Sequence, residues 1–248
     1  CQALVKRAFS DEDLGAIRFT SANSINIGRL LPQSVYYVYA YLCLADVESG
    51  ERMVVSVPSG NFGDLCGGLL AHRAGLPVER FVVATNANDE VPRFFETGGY
   101  QKIDPSKVCI SNAMNVGHPS NLARLVDLYG GHMDETGKLH RAPDLERIRR
   151  DMWSVSVDDL ETRQTIAEVW KDHQVMLEPH GAVGWAALSR FFASGQVPAD
   201  TLAVALETAH PAKFPEEIRA LIGIDPDPPP ALVAVEQKDE AFETMAVD

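Results

Sequence analysis

The chain has 248 residues, 46% of them hydrophobic, enough apolar content for one large core or one and a half smaller ones. A formal net charge of -13 works against a general affinity for nucleic acid, because such binding neutralises phosphates with clustered Lys and Arg. There is no run of about twenty apolar residues, no basic-then-apolar leader and no lipidation motif to point to a membrane or to secretion, so a soluble cytoplasmic protein is expected.

The opening CQALVKRAFSDEDL reads as an amphipathic helix with Ala3, Leu4, Ala8 and Phe9 on one apolar stripe that needs something to pack against. Because the first residue is Cys1 rather than Met, the chain is expected to be the latter part of a longer polypeptide. Between Ser24 and Leu44, apolar and aromatic residues (Ile25, Ile27, Leu30, Leu31, Val35, Tyr36, Val38, Tyr39, Leu42) recur at spacings that suit a buried helix, with a break at Pro32. Residues 53–57 form a β-branched strand, followed at once by Ser59-Gly60-Asn61-Phe62-Gly63-Asp64 and a small-residue helix over 65–73 that stops at Gly75. The rhythm repeats with a strand over 80–84 and a helix capped by Asp89, with Pro92 in its first turn, running to Glu96.

His118-Pro119-Ser120 then introduces a helix over 121–129, and the polar stretch from Gly130 to Lys138 reads as a surface excursion. Asp158 and Asp159 cap a polar helix ending at Lys171, and Glu178-Pro179 open another over 182–192. An apolar strand over 202–206 and a helix over 216–222 started by Pro215 complete a region spanning 1–223; the proline-rich 225–230 stiffens a linker, leaving 224–248 as linker and tail. Short apolar strands alternating with helices predict an α/β fold, a mostly parallel sheet covered on both faces. Cys1, Cys43, Cys66 and Cys109 form no CxxC pair and are expected as reduced thiols. Neither a zinc site nor a hydrolase triad has a motif here.

The most informative stretch is the glycine loop 59–63. Between a strand end and a helix start, it leaves backbone N–H groups free for an anion, with the helix dipole behind them. It is neither GxGxxG nor a Walker loop, so a dinucleotide or triphosphate lacks support, and on physics alone a tight structural turn competes evenly with a phosphate cradle. Asp64 could cap the following helix.

The motifs SANSINIGRLLPQ, PSGNFGD, ATNANDEVPRF, EPHGAVGWAAL and TAHPAKF, in this order, make the chain resemble the threonine synthases, of bacterial type, over most of its length. The resemblance weakens over 130–154 and after Gly223. It implies a fold type II pyridoxal 5'-phosphate architecture, related to the tryptophan synthase beta subunit. It further implies conversion of O-phospho-L-homoserine and water to L-threonine and phosphate, the last step of threonine biosynthesis. Ser59, Gly60, Asn61, Phe62 and Gly63 match the loop around the cofactor phosphate, and Thr208 matches the hydroxyl residue that faces the pyridine nitrogen; a strand-end Thr capping the next turn is the competing reading. Arg29, with Asn23 and Asn26, could hold a substrate phosphate, against an equally ordinary structural role. Asn115 stands where the family pattern has an acidic residue, which puts a charge-dependent role there in doubt. His180 and His210 sit near element boundaries, where capping is the usual task.

The family's Schiff-base lysine lies in an earlier FKD-like segment, and neither that segment nor the SGDTG-type loop occurs here. Lys213 does not match it and reads as a solvated or ion-paired side chain. The expected catalytic set of this chain is therefore empty, and its expected partners are the substrate and the preceding N-terminal part of the polypeptide. Two other readings stand: a related phospholyase that eliminates phosphate, and a non-catalytic scaffold.

Overall fold

A computed structural model describes residues 2–236 and 238–244. Cys1, expected as a reduced thiol, and the side chain of Ala3 lie outside the described residues. The chain opens with α1 (Gln2–Ser10), a short α2 (Ile27–Leu30) and, after a single 3-10 turn containing Pro32, α3 (Ser34–Leu44). The break at Pro32 is as expected, but the buried helix is not. Leu30, Tyr37 and Tyr41 are buried, whereas Val35, Tyr36, Tyr39 and Leu42 are each more than half exposed. One face of α3 packs on the core; no described residue covers the other.

The sheet follows from the apolar runs. β1 (Met53–Pro58) is buried at every position, as a central strand covered on both faces must be. It is followed by α4 (Gly63–Arg73), β2 (Val78–Thr85) and α5 (Glu90–Thr97), then α6 (Leu122–Leu128). Asp89 precedes α5 but does not cap it; its carboxylate pairs with Arg93 at 3.3 Å instead. The stretch read as an excursion holds more than a loop. It belongs to a small antiparallel hairpin, β3 (His132–Met133) with β4 (Leu139–Arg141), and is followed by α7 (Leu145–Asp151) and the edge strand β5 (Met152–Ser156). No strand was expected at β5, where only Met152 is fully buried.

After β5 come α8 (Asp159–His173), α9 (Pro179–Ala193), β6 (Ala203–Ala205) and α10 (Pro215–Ile222). Asp158 caps α8 by accepting from the Glu161 N–H at 2.9 Å, as expected. Within the span read as linker and tail there is a further helix, α11 (Pro230–Glu236). The four strands of the main sheet are all parallel in the order β5-β2-β1-β6. Met53, Val55 and Val57 pack on one face with residues of α3 and α4, while Val54, Val82 and Ala84 pack on the other with Val183, Ala187 and Phe191 of α9. Both faces are therefore covered, as the alternation predicted.

Close approach of α3 to α4 depends on Gly68, where an added Cβ would lie 2.5 Å from the Tyr37 ring. Cys43, Cys66 and Cys109 are free thiols. Burial pushes the Cys66 thiol up to about 12, making it a packing residue rather than a nucleophile. No helix among the described residues is long and apolar enough to cross a membrane.

Candidate functional site

In this strand order β1 has β2 on one side and β6 on the other, so the chain progresses in opposite directions from it. Open α/β sheets take ligands at such a switch point, outside the carboxyl ends of the strands. Loop 59–63 lies at the carboxyl end of β1, and Glu207 and Thr208 follow that of β6. The sheet thus brings two sequence-distant candidates to one edge.

The loop is anchored from Ser59 to Phe62. Ser59 is buried; its N–H donates to the Ala84 carbonyl at 2.7 Å and its Oγ to the Val57 carbonyl at 2.9 Å. Asn61 Oδ1 accepts from the N–H and the hydroxyl of Ser120, both at 3.2 Å, and its carbonyl accepts from Asn121 Nδ2 at 3.0 Å. Phe62 takes a left-handed conformation, φ 62°, immediately before α4. That geometry costs a non-glycine residue about 1–2 kcal/mol, and the Phe62 side chain, buried in the main core, offsets it. Gly60 lies against a 3-10 turn, Asn112–Met114, so closely that a Cβ would be 2.8 Å from the Ala113 carbonyl oxygen.

With these contacts made, the N–H groups of Gly60, Asn61, Phe62, Gly63 and Asp64 find no acceptor among the described residues. Free donors at the start of an 11-residue helix suit an anion. Asp64 does not cap α4. Its Oδ1 is buried without a partner, and desolvation raises its pKa to about 6. The Tyr37 hydroxyl donates to its carbonyl at 3.0 Å.

A polar network supports the turn at 112–114. Asn86, just past β2, donates to Asn115 Oδ1 at 2.9 Å, and Asn115 Nδ2 donates to the Cys109 carbonyl at 3.2 Å. Asn115 therefore closes a loop with a neutral amide. From the opposite side, His180 Nε2 accepts from the Ala113 N–H at 3.1 Å. Glu178, buried, caps α9 by accepting from the N–H groups of His180 and Gly181 at 2.9 and 2.8 Å, and also takes His180 Nδ1–H at 2.5 Å. The capping residue is thus Glu178 rather than His180. His210 does cap, accepting from the Ala212 N–H at 3.2 Å.

Glu207 binds the same helix end: its Oε1 accepts from the Glu178 N–H at 3.1 Å, and its carboxylate fills the space a Cβ on Gly181 would need. Desolvation, aided by the Glu178 charge, raises Glu207 to about 8. Thr208, one residue on, is exposed.

The segment carrying Asn26 and Arg29 also reaches the loop, for the Ser24 side chain lies 3.4 Å from where a Gly63 Cβ would be. Asn26 caps α2, accepting from the Gly28 N–H at 2.9 Å and donating to the Ser21 carbonyl at 2.8 Å. Arg29 is exposed, and its guanidinium has no partner among the described residues. Lys213 is exposed as well. Sequence reading missed Ser120, Asn121, Asn86, Glu178 and Glu207 as site residues; only their place inside or beside the motifs could have pointed to them.

The family described as threonine synthase, C-terminal, matches residues 181–248. The threonine synthase of Escherichia coli is 43% identical over 239 residues, which is 94% of this chain and 50% of that protein. Its crystal structure superposes with a TM-score of 0.79 over 94% of this chain and 50% of that one, at 42% identity. The crystal structure of a PLP-bound threonine synthase from Brucella melitensis gives a TM-score of 0.81 at 32% identity, covering 98% of this chain and 53% of that one. The chain spans about half the length of the relatives it matches.

Proposed function

We propose that the polypeptide containing this chain is a threonine synthase of the cytoplasm: the chain matches about half the length of threonine synthases in sequence and in fold, of fold type II, and residues 181–248 match that family's C-terminal model. It converts O-phospho-L-homoserine and water to L-threonine and inorganic phosphate, with pyridoxal 5'-phosphate as cofactor. The observation that carries this reading is the loop at 59–63, with its free N–H groups at the start of α4 and no room for a side chain at Gly60.

Those N–H groups would hold the cofactor phosphate. Ser59 and Asn61 fix the loop through their own hydrogen bonds, so the donors are set before an anion arrives. Thr208 would offer a neutral hydroxyl to the ring nitrogen from the end of β6. When bound, the cofactor supplies the electron sink for carbanion chemistry at the substrate. Arg29 would take the substrate phosphate, where a guanidinium gives paired donors, with Asn26 ordering the backbone beside it. No lysine of this chain is assigned to the cofactor aldehyde; that residue would come from the part of the polypeptide matching the relatives' preceding half. The uncovered face of α3, with Val35, Tyr36, Tyr39 and Leu42, offers an apolar surface for that part.

The test is an assay of the polypeptide joining this chain to its preceding half, with O-phospho-L-homoserine and pyridoxal 5'-phosphate. Threonine and phosphate should form in equal amounts. Phosphate with 2-oxobutyrate and no threonine would replace the reading with a phospholyase, and no phosphate release would leave a scaffold.

A further inference from the structure

His180 has two ring nitrogens and two fixed tasks. The Ala113 N–H points its hydrogen at Nε2, so Nε2 carries none and the ring proton is on Nδ1, donated to the buried Glu178 carboxylate. Glu178 is itself held by two N–H groups of the first turn of α9, and the His180 ring lies 5.4 Å from that of Phe214. The imidazole therefore has one tautomer and one orientation. The turn it grips meets Gly60, whose missing side chain lets the Ala113 carbonyl and Met114 Cα come to 2.8 and 2.9 Å of a Cβ position. A shift of that turn changes where Gly60 can sit.

We infer that His180 is a positioning residue for the loop at 59–63, acting through the Asn112–Met114 turn and oriented by Glu178. This rests on the reading of that loop as a phosphate cradle. The rest of the turn is tied to β2 through Asn86 and Asn115, and Met114 shares an apolar cluster with Val183 and Ala187 of α9, so His180 is the turn's hydrogen-bonded link to α9, the helix that also anchors Glu207 beside Thr208. One helix end thus sets both the phosphate loop and the strand end across the switch point.

The experiment compares dissociation constants for pyridoxal 5'-phosphate and for pyridoxal, which lacks the phosphate, by tryptophan fluorescence of the full polypeptide. His180→Ala should weaken the phosphorylated ligand about tenfold, the scale of one lost hydrogen bond with its disorder, and leave pyridoxal unchanged. His180→Gln, which can accept from Ala113 and donate to Glu178, should restore most of the affinity. In the wild type the Ala113 amide should be protected from hydrogen exchange, and more so with inorganic phosphate, a measurement that needs no variant. Equal weakening of both ligands, no weakening, or an Ala113 amide that exchanges freely in the folded protein would overturn the inference. A wild type that does not distinguish the two ligands would overturn the phosphate-loop reading as well.

Discussion

Replacing Gly60 with alanine tests whether loop 59–63 is built around a close approach. The added Cβ would stand 2.8 Å from the Ala113 carbonyl oxygen and 2.9 Å from Met114 Cα, both backbone atoms that cannot rotate away. Unstrained contacts of this kind begin at about 3.5 Å, so the loop or the turn must move by about 0.7 Å. The loop is held on its far side by Ser120 and Asn121, and the turn by His180 and Asn86, so neither moves without loosening hydrogen bonds. Overpacking of this size costs about 1–3 kcal/mol. Urea unfolding of Gly60→Ala should show a lower midpoint with an unchanged slope, and its affinity for pyridoxal 5'-phosphate should fall by at least tenfold. Gly184→Ala is the control. Its Cβ would meet Pro58 at 3.4 Å, an ordinary contact, and in a helix interior the change should be neutral or stabilising by about 0.5 kcal/mol. A Gly60→Ala protein with the wild-type midpoint and wild-type affinity would refute the packing argument.

Glu90 is buried, its Oε2 has no partner, and desolvation raises its pKa to about 7. A carboxyl raised in the fold holds its proton there while the unfolded chain releases it, so its contribution is full below about pH 4.5 and is lost as the pH rises through 7. Glu90→Gln should therefore gain stability at pH 8 relative to wild type, on the order of 2 kcal/mol, and show little difference at pH 4.5; equal urea midpoints for the two proteins at both pH values would contradict this. Ser56 Oγ donates to the Gly184 carbonyl at 2.6 Å and latches β1 to α9. Ser56→Ala should cost about 1 kcal/mol, seen as a lower melting temperature. Tyr39→Glu on the open face of α3 should change the stability of this chain alone by no more than about 0.5 kcal/mol. It should weaken association with a separately produced preceding half by more than tenfold in a titration followed by light scattering, and unchanged association would remove α3 from that interface.

Local pattern carried much of the architecture. The β-branched run at 53–57, the glycine at 75 and the capping residues Asp158 and Glu178 announced their elements because strands, stops and caps depend on residues adjacent in sequence. The strand β5 was not legible, since its partly exposed residues MWSVS lack both a continuous apolar run and an apolar contrast with their surroundings. The depth of α3 was not legible either. Its residues are apolar all round, and only the tertiary structure shows which of them face α4 and which face outward.

At the site, composition and spacing alone left loop 59–63 open between a tight turn and an anion cradle; the motif resemblance favoured the cradle. The structure decided what periodicity cannot report: that β6 lies beside β1, so Thr208 shares an edge with a loop about 150 residues earlier in the chain. It also decided the duties of Asn26, Asp64 and His180, because a polar side chain's role is fixed by which donors and acceptors reach it. Asn26 had its amide taken by a cap, Asp64 was left without a partner for one oxygen, and His180 was clamped between Glu178 and Ala113. The sequence by itself determined the elements and the residue types available for chemistry; long-range packing determined their partners, since those contacts join segments that no local window holds together.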